Sequence, residues 1–369
     1  MKIRLLTNLA LFLTSMLIVC LVMEGVFRVF HLESDVFVDT DLCTGYKLIP
    51  NTTGVFVSPD VKVKISSNAM GFRDVDHEIS KKAGVTRILF LGDSFTEAFQ
   101  VPLASTSAKI AESLLNKKGI PTETISLGIS GFSTDQEYLS LICYGQQFNP
   151  DIVVLNFTTS NDVSDNYFRT DPRRPHFQIK GGEATTTNDY AGYITENKNK
   201  GFVHGMLASI KKHSTFMRFV YNKFIMIRGL HSPVNTTELY EMFRTDERPE
   251  WKNARLLTEA LLIKIKKVTE ERHQSFVIMQ IPSNLQIKGE IDTSHVLPEY
   301  DMSIPGKWLT NFTSLNKIEY LDLLPIFNKE VGHDYVKVSF PHDGHWNSLG
   351  HSLAGNALVD YLLRKNIVK

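Results

Sequence analysis

Arg87-Ile88-Leu89-Phe90-Leu91-Gly92-Asp93-Ser94-Phe95-Thr96 runs an apolar stretch straight into a small-residue turn that carries a hydroxyl. Ile110, Ala111, Leu114 and Leu115 follow on one face of a helical pattern. Together they predict a strand-to-helix junction with Ser94 at the carboxyl edge of a sheet, where open α/β sheets bind ligands. A Gly-Asp-Ser triplet is weak evidence alone, so its partners must come from the rest of the chain.

Outward from this junction the pattern alternates. Strands are expected at residues 87–91, 124–127, 151–157, 275–281 and 318–321, and helices at 105–118, 134–147, 249–271 and 348–365. Such alternation predicts an α/β fold with a parallel sheet. Ser133 and Gln136 have capping-box spacing at the start of the second helix. In the closing helix Leu349, Leu353, Ala357, Leu358 and Leu362 share a face that should cover the sheet, and Asn347 stands as its amino-terminal cap.

Composition narrows the function. The chain has 369 residues, 43% apolar and 22% charged, which suits a folded globular protein. Lys+Arg and Asp+Glu are both 40, so no net charge draws it to nucleic acid. The 12 histidines are scattered without a His-Glu-x-x-His run, and no Cys-x-x-Cys occurs, so no metal and no cofactor are expected. Cys20 lies in an apolar segment; Cys43 and Cys143 permit one disulfide, although a buried apolar role for Cys143 is the preferred reading.

Residues 5–23 carry no formal charge and are long enough to cross the roughly 30 Å hydrocarbon layer as a helix. Lys2 and Arg4 precede them, while Glu24, Arg28, Glu33 and Asp35 follow. The positive-inside bias puts the amino terminus in the cytoplasm and the rest outside, as a single-pass cell-membrane protein. No small-x-small site follows the apolar run, which favours an anchor over a cleaved signal peptide. The organisation expected is a tip and transmembrane anchor at 1–31, a connecting β-rich segment at 32–86, and a main domain at 87–369 with an insertion at about 165–248. Within the connecting segment, residues 61–65 alternate as a half-wet strand, and residues 68–74 either shape a site edge or close a turn, the latter preferred. Within the insertion, Arg173 and Arg174 read as a solvated charge cluster ahead of an anion grip. The apolar, aromatic and basic stretch 201–230 fits a helix against the body or near a membrane surface.

A serine nucleophile needs a base within hydrogen-bond reach and a group that orients that base. Asp343-Gly344-His345 supplies both. Residues two apart in an extended loop point to one side, so Asp343 can hold one imidazole nitrogen while the other faces Ser94. His342 and His351 have no carboxylate two residues before them. Acyl transfer also needs donors aimed at the developing oxyanion. The Ser94 amide, the Gly131 amide and the Asn161 side chain each follow a predicted strand and form the candidate oxyanion hole.

Four separated blocks now stand out: Phe90-Leu91-Gly92-Asp93-Ser94-Phe95, Leu127-Gly128-Ile129-Ser130-Gly131-Phe132-Ser133, Ser160-Asn161-Asp162 and Asp343-Gly344-His345-Trp346-Asn347. In order and spacing the chain resembles the SGNH hydrolases, also called the GDSL family of esterases and lipases. The family more often has glycine where Ser160 stands, and often separates the final Asp and His by two residues rather than one. A one-residue gap followed by Trp is similar to relatives that acetylate alginate and other exopolysaccharides. The resemblance implies a flavodoxin-like three-layer α/β/α sandwich, with Ser94 as nucleophile, His345 as base, Asp343 as orienter, and Ser94, Gly131 and Asn161 around the oxyanion. The expected function is hydrolysis of O-acyl esters, acetyl esters first, on cell-surface glycans. O-acyl transfer to an envelope glycan is the alternative, and a non-catalytic glycan-binding or scaffold domain the third reading.

Overall fold

The computed structural model describes residues 2–159, 161–197, 209–210, 212–229, 236–289 and 300–368. Helix α1 (Lys2–Phe30) carries the amino-terminal apolar run. Within its segment Ile3–Phe30 an 18-residue window reaches a mean hydropathy of 2.4 with none of it buried, so the helix is long and apolar enough to cross a membrane. Two antiparallel hairpins follow, β1 (Val38–Asp41) with β2 (Gly45–Leu48) and β3 (Thr53–Val57) with β4 (Lys62–Ser66). In β4, Lys62 and Lys64 face water while Ile65 is fully buried, the alternation expected of that stretch.

The main body begins with β5 (Thr86–Gly92), α2 (Ser94–Glu97), α3 (Ser107–Lys117), β6 (Thr122–Ser126), α4 (Thr134–Ser140), β7 (Ile152–Thr158) and α5 (Asp162–Phe168). The region between the two halves holds β8 (Phe177–Lys180), β9 (Glu183–Thr186), α6 (Tyr190–Asn197) and α7 (Thr215–Gly229). The chain then returns through α8 (Pro249–Glu271), β10 (Ser275–Ile281), α9 (Asn284–Lys288), α10 (Ile304–Asn316), β11 (Glu319–Asp322), α11 (Leu324–Val331) and α12 (Ser348–Arg364).

β5, β6, β7, β10 and β11 form one parallel sheet in the order β11-β10-β7-β5-β6. Strand residues are buried on both faces, as parallel sheets require. On one face Leu89, Leu91, Val153 and Leu155 pack with Leu262 and Ile265 of α8 and Leu309 of α10. On the other, Ile88, Phe90, Val154 and Val277 pack with Ala111 and Leu115 of α3 and Leu358 and Leu362 of α12. This is the three-layer α/β/α sandwich. The order of winding reverses at β5, which has β6 on one side and β7 on the other, the kind of crossover where doubly wound sheets open a crevice at their carboxyl ends.

Three local expectations are corrected. The helix expected at 134–147 is α-helical only to Ser140, then widens into a π-turn at Leu141–Gly145 and tightens into a 3-10 turn at Gln146–Phe148. The capping box does not form: the Ser133 hydroxyl donates to Asp135 (2.9 Å), and the Gln136 side-chain amide donates to the Thr44 carbonyl (2.6 Å). Tertiary partners outcompete the local cap. Cys143 is not a buried apolar residue: it is disulfide-bonded to Cys43, with Cα atoms 6.7 Å apart, and ties the first hairpin to the turn after α4.

Of the stretch 201–230, residues 201–208, 211 and 230 lie outside the described residues, and α7 packs on α1 rather than on the sheet. Arg173 pairs with Asp171 on the surface, as a solvated cluster would. Arg174 departs from that reading, because it lies over the Tyr46 ring (4.7 Å) and donates to the Gly131 carbonyl (2.8 Å).

Candidate active site

β5 delivers Ser94 through a turn with almost no spare volume. A Cβ on Gly92 would lie 2.1 Å from the Thr96 hydroxyl and 2.9 Å from Asn156 Cβ, so only glycine lets the strand end this close to β7. Asp93 is buried and caps α2 by accepting from the Phe95 amide (2.9 Å). Burial pushes the Asp93 carboxyl above the usual range. Ser94 is the first residue of α2, where helical amides have no partner within the helix.

The start of α12 delivers the candidate base, His345, from the opposite end of the chain. Asn347 accepts from the Leu349 (2.9 Å) and Gly350 (3.2 Å) amides, the cap expected from sequence. Trp346, 1% exposed, wedges between Phe95 (5.1 Å) and Phe327 (5.0 Å) and fixes the residue before it. His345 Nε2 lies 2.7 Å from the Ser94 hydroxyl, and its Nδ1 is hydrogen-bonded to Asp343. The path to this arrangement differs from the extended loop expected. Residues 340–345 form a turn in which the Gly344 amide donates to the Phe340 carbonyl (2.8 Å) and Gly344 takes φ +81°.

The electrostatics of the pair suit a relay. Burial works against a charged His345, but the Asp343 carboxylate outweighs it and raises the imidazole above its ordinary value. Burial likewise opposes the Asp343 charge, and the hydrogen bonds and positive charge of His345 together with the Gln100 hydrogen bond outweigh it, holding this carboxyl below the usual range. With Nδ1–H turned to Asp343, Nε2 is the free acceptor for the Ser94 proton.

Asn161 follows β7 and donates to Asp93 Oδ2 (3.0 Å), so one of its two amide hydrogens is committed. A cavity of about 360 Å³ opens over Ser94, lined by Phe95, Asn161, Met242, Leu285 and His345 among others. Gly131 is not in that lining: it sits at the turn after β6, where Arg169 and Arg174 hold its carbonyl. The structure therefore brings Ser94, His345, Asp343 and Asn161 together and leaves Gly131 at their edge.

Several neighbours carried no readable signal in the sequence. Gln100 donates to both carboxylate oxygens of Asp343 (3.1 and 3.3 Å). Asp60, in the turn between β3 and β4, accepts from the backbone amides of His342 (3.1 Å) and Asp343 (3.0 Å) and from the His342 ring (2.7 Å). Ser58-Pro59-Asp60 looks like any surface turn, and 283 positions separate Asp60 from Asp343. Residues 68–74 close a turn, as preferred: Asn68 accepts from the Phe72 amide (3.0 Å), and buried Arg73 donates to the Glu97 carbonyl at the end of α2 (2.9 Å), while none of the stretch lines the cavity over Ser94. A second cavity of about 310 Å³ lies beyond Asn161, walled by Val163, Trp251 and Trp308, with Met242 common to both. Among the described residues no three His, Cys, Asp or Glu side chains converge to hold a metal ion.

Doubly wound sheets host many chemistries, and family membership is what makes this one a carboxylic-ester hydrolase. The GDSL-like lipase/acylhydrolase family matches residues 88–358, and the chain belongs to that family. Among solved structures it is similar to the acetyl xylan esterase AlAXEase, at 14% identity over 74% of this chain and 98% of the other, with a TM-score of 0.41. A catalytic mutant of Axe2, an acetylxylan esterase from Geobacillus stearothermophilus, is 14% identical over 76% of this chain and 96% of its own, with a TM-score of 0.43. A two-domain esterase active on acetylated mannans is 13% identical over 76% of this chain and 50% of its own, at 0.40. A search of curated proteins returned no match.

Proposed function

We propose that this chain is a serine esterase held at the cell membrane by α1, its amino terminus in the cytoplasm and its catalytic domain outside. Its substrates are O-acyl esters, acetyl esters first, on cell-surface glycans. The observation that carries the chemistry is the Ser94–His345–Asp343 hydrogen-bond chain at the mouth of a cavity. Lys2 and Arg4 before the apolar run support the orientation. The Cys43–Cys143 bond supports an oxidising compartment. The glycan follows from that location.

In this reading Ser94 Oγ attacks the ester carbonyl while its proton passes to His345 Nε2, leaving an imidazolium stabilised by Asp343. The oxyanion of the tetrahedral intermediate is met by the Ser94 amide and the second Asn161 amide hydrogen, with the Gly131 amide the third donor that the family resemblance implies. Collapse expels the glycan hydroxyl, which takes the proton back from His345. Water then repeats the sequence on the acyl-enzyme and releases the carboxylic acid and free Ser94.

Purified full-length protein in detergent should cleave a chromogenic acetate ester, and Ser94→Ala should lose on the order of a million-fold in kcat. Near-normal hydrolysis by that variant would sink the assignment. A second reading is favoured by the single residue between Asp343 and His345 followed by Trp346: an acceptor sugar hydroxyl replaces water, and the protein transfers the acyl group. Labelled acetyl recovered on an added oligosaccharide rather than as free acetate selects transfer.

A further inference from the structure

α7 is the described helix whose burial the hydrolase fold does not explain. It packs on α1, and the contact begins at Glu24, the first charged residue after the apolar run. The Glu24 carboxylate accepts from the Ser214 hydroxyl (2.7 Å) and from the Thr215 (3.1 Å) and Phe216 (3.0 Å) amides, capping α7 from the anchor. Phe27 of α1 is 5% exposed because Phe216 (5.4 Å) and Phe219 (4.9 Å) close over it. α7 is thereby fixed at the level where α1 leaves its uncharged stretch.

Much of the rest of its surface is apolar and open. Met217, Val220 and Phe224 fall at i, i+3 and i+7, and are 41%, 43% and 52% exposed. Water is a poor partner for such a stripe, and a contiguous exposed patch of this kind marks an interaction surface. Acidic partners reach α7 only from elsewhere in the chain, Glu24 at its start and Glu33, which accepts from the Asn222 side chain (3.1 Å); its own stretch is charged with one sign. No Asp or Glu occurs between Glu196 and Glu238, a stretch that carries Lys211, Lys212, Arg218, Lys223 and Arg228. The Arg228 guanidinium lies over the Phe224 ring (4.8 Å) and the Lys223 ammonium over the Phe219 ring (5.5 Å), so both cations sit against the aromatic surface of the helix. An apolar stripe flanked by cations, beside a hydrophobic anchor, has the chemistry of a helix lying in the headgroup region of a bilayer.

We infer that α7 is a membrane-interface helix, whose Met217–Val220–Phe224 stripe enters the outer-leaflet boundary while Lys223 and Arg228 meet lipid phosphate. It rests on the reading of α1 as an anchor. The helix gives the catalytic domain a second point of attachment, so the domain is held over the surface rather than swinging on residues 31–37.

The test uses full-length Cys20→Ala protein with a single added cysteine, labelled with an environment-sensitive fluorophore. Label is placed at Phe224→Cys, at Met217→Cys in case the first site perturbs folding, and at Leu315→Cys as an exposed control on the catalytic body. The protein is reconstituted in phosphatidylcholine/phosphatidylglycerol vesicles. The expected result is blue-shifted emission at 224 and 217 that spin-labelled lipid quenches, with water-like emission at 315. Water-like emission at 224 and 217 in protein that floats with the vesicles overturns the inference alone. A blue shift that lipid quenchers leave untouched gives the face to a second copy and also overturns it. Failure to float overturns the anchor reading and the inference with it.

Discussion

Gly344 separates Asp343 from His345 and turns the chain so that the carboxylate meets Nδ1 while Nε2 faces Ser94. At this scale the charge of one residue sets the working range of the next. Asp343 raises the His345 pKa, and a general base works only when neutral. Activity should therefore fall as pH drops through a value above the ordinary ~6.5 of histidine. Asp343→Asn removes the negative charge that favours imidazolium, so the acid limb of kcat/KM should move to lower pH. kcat should fall on the order of ten-thousand-fold, because Nδ1 loses the partner that selects its tautomer. An unmoved acid limb in Asp343→Asn would place the titrating base elsewhere.

The β3–β4 hairpin extends that chain of support at the scale of elements. Its Asp60 ties down two backbone amides at 342 and 343, so a segment outside the matched family region props the loop that carries Asp343 and His345. Asp60 is a positioning residue, and errors of about 1 Å in a catalytic geometry cost roughly a hundredfold. Asp60→Ala should lower kcat by roughly tenfold to a hundredfold with KM little changed, and Asp60→Asn, which keeps one acceptor, should restore part of it. A variant with a lower Tm and an unaltered kcat would reduce Asp60 to a structural role. The elements themselves were mostly legible. α8 falls where periodicity put it, because a long amphipathic run buries one face whatever the tertiary context, and β10 falls where its unbroken apolar run put it, buried on both faces. Asn347 was legible as a cap because it bonds residues two and three positions on. Asp60 and Gln100 were not, since their partners lie more than two hundred residues away. The capping box at Ser133 failed from both ends: the neighbouring Asp135 took the Ser133 hydroxyl, and a distant carbonyl at Thr44 claimed Gln136.

At the scale of the whole molecule the sheet edge collects acid. Burial pushes Glu97 and Asp135 up to about 7, and burial together with Asp162 raises Glu137 well above the usual range. Neither carboxylate oxygen of Glu137 has a hydrogen-bond partner among the described residues. A carboxyl whose pKa is raised in the folded state adds stability that is complete below its unfolded value of ~4.3 and is lost as pH rises through the folded value. Stability should thus decline from mildly acidic toward alkaline pH. Glu137→Gln, which removes the buried titrating group and keeps its shape, should flatten that decline. Parallel Tm–pH curves for the two proteins would refute it. The same edge is where strand order reverses and where Ser94 stands, so the chemistry depends on one residue in that crevice being nucleophilic. The most direct measurement is mass-spectrometric mapping of a fluorophosphonate adduct on the full-length protein, with ester turnover followed alongside. The adduct should fall on Ser94 in step with lost turnover and should be absent from His345→Ala; an adduct elsewhere, or turnover that survives full modification of Ser94, would contradict the account.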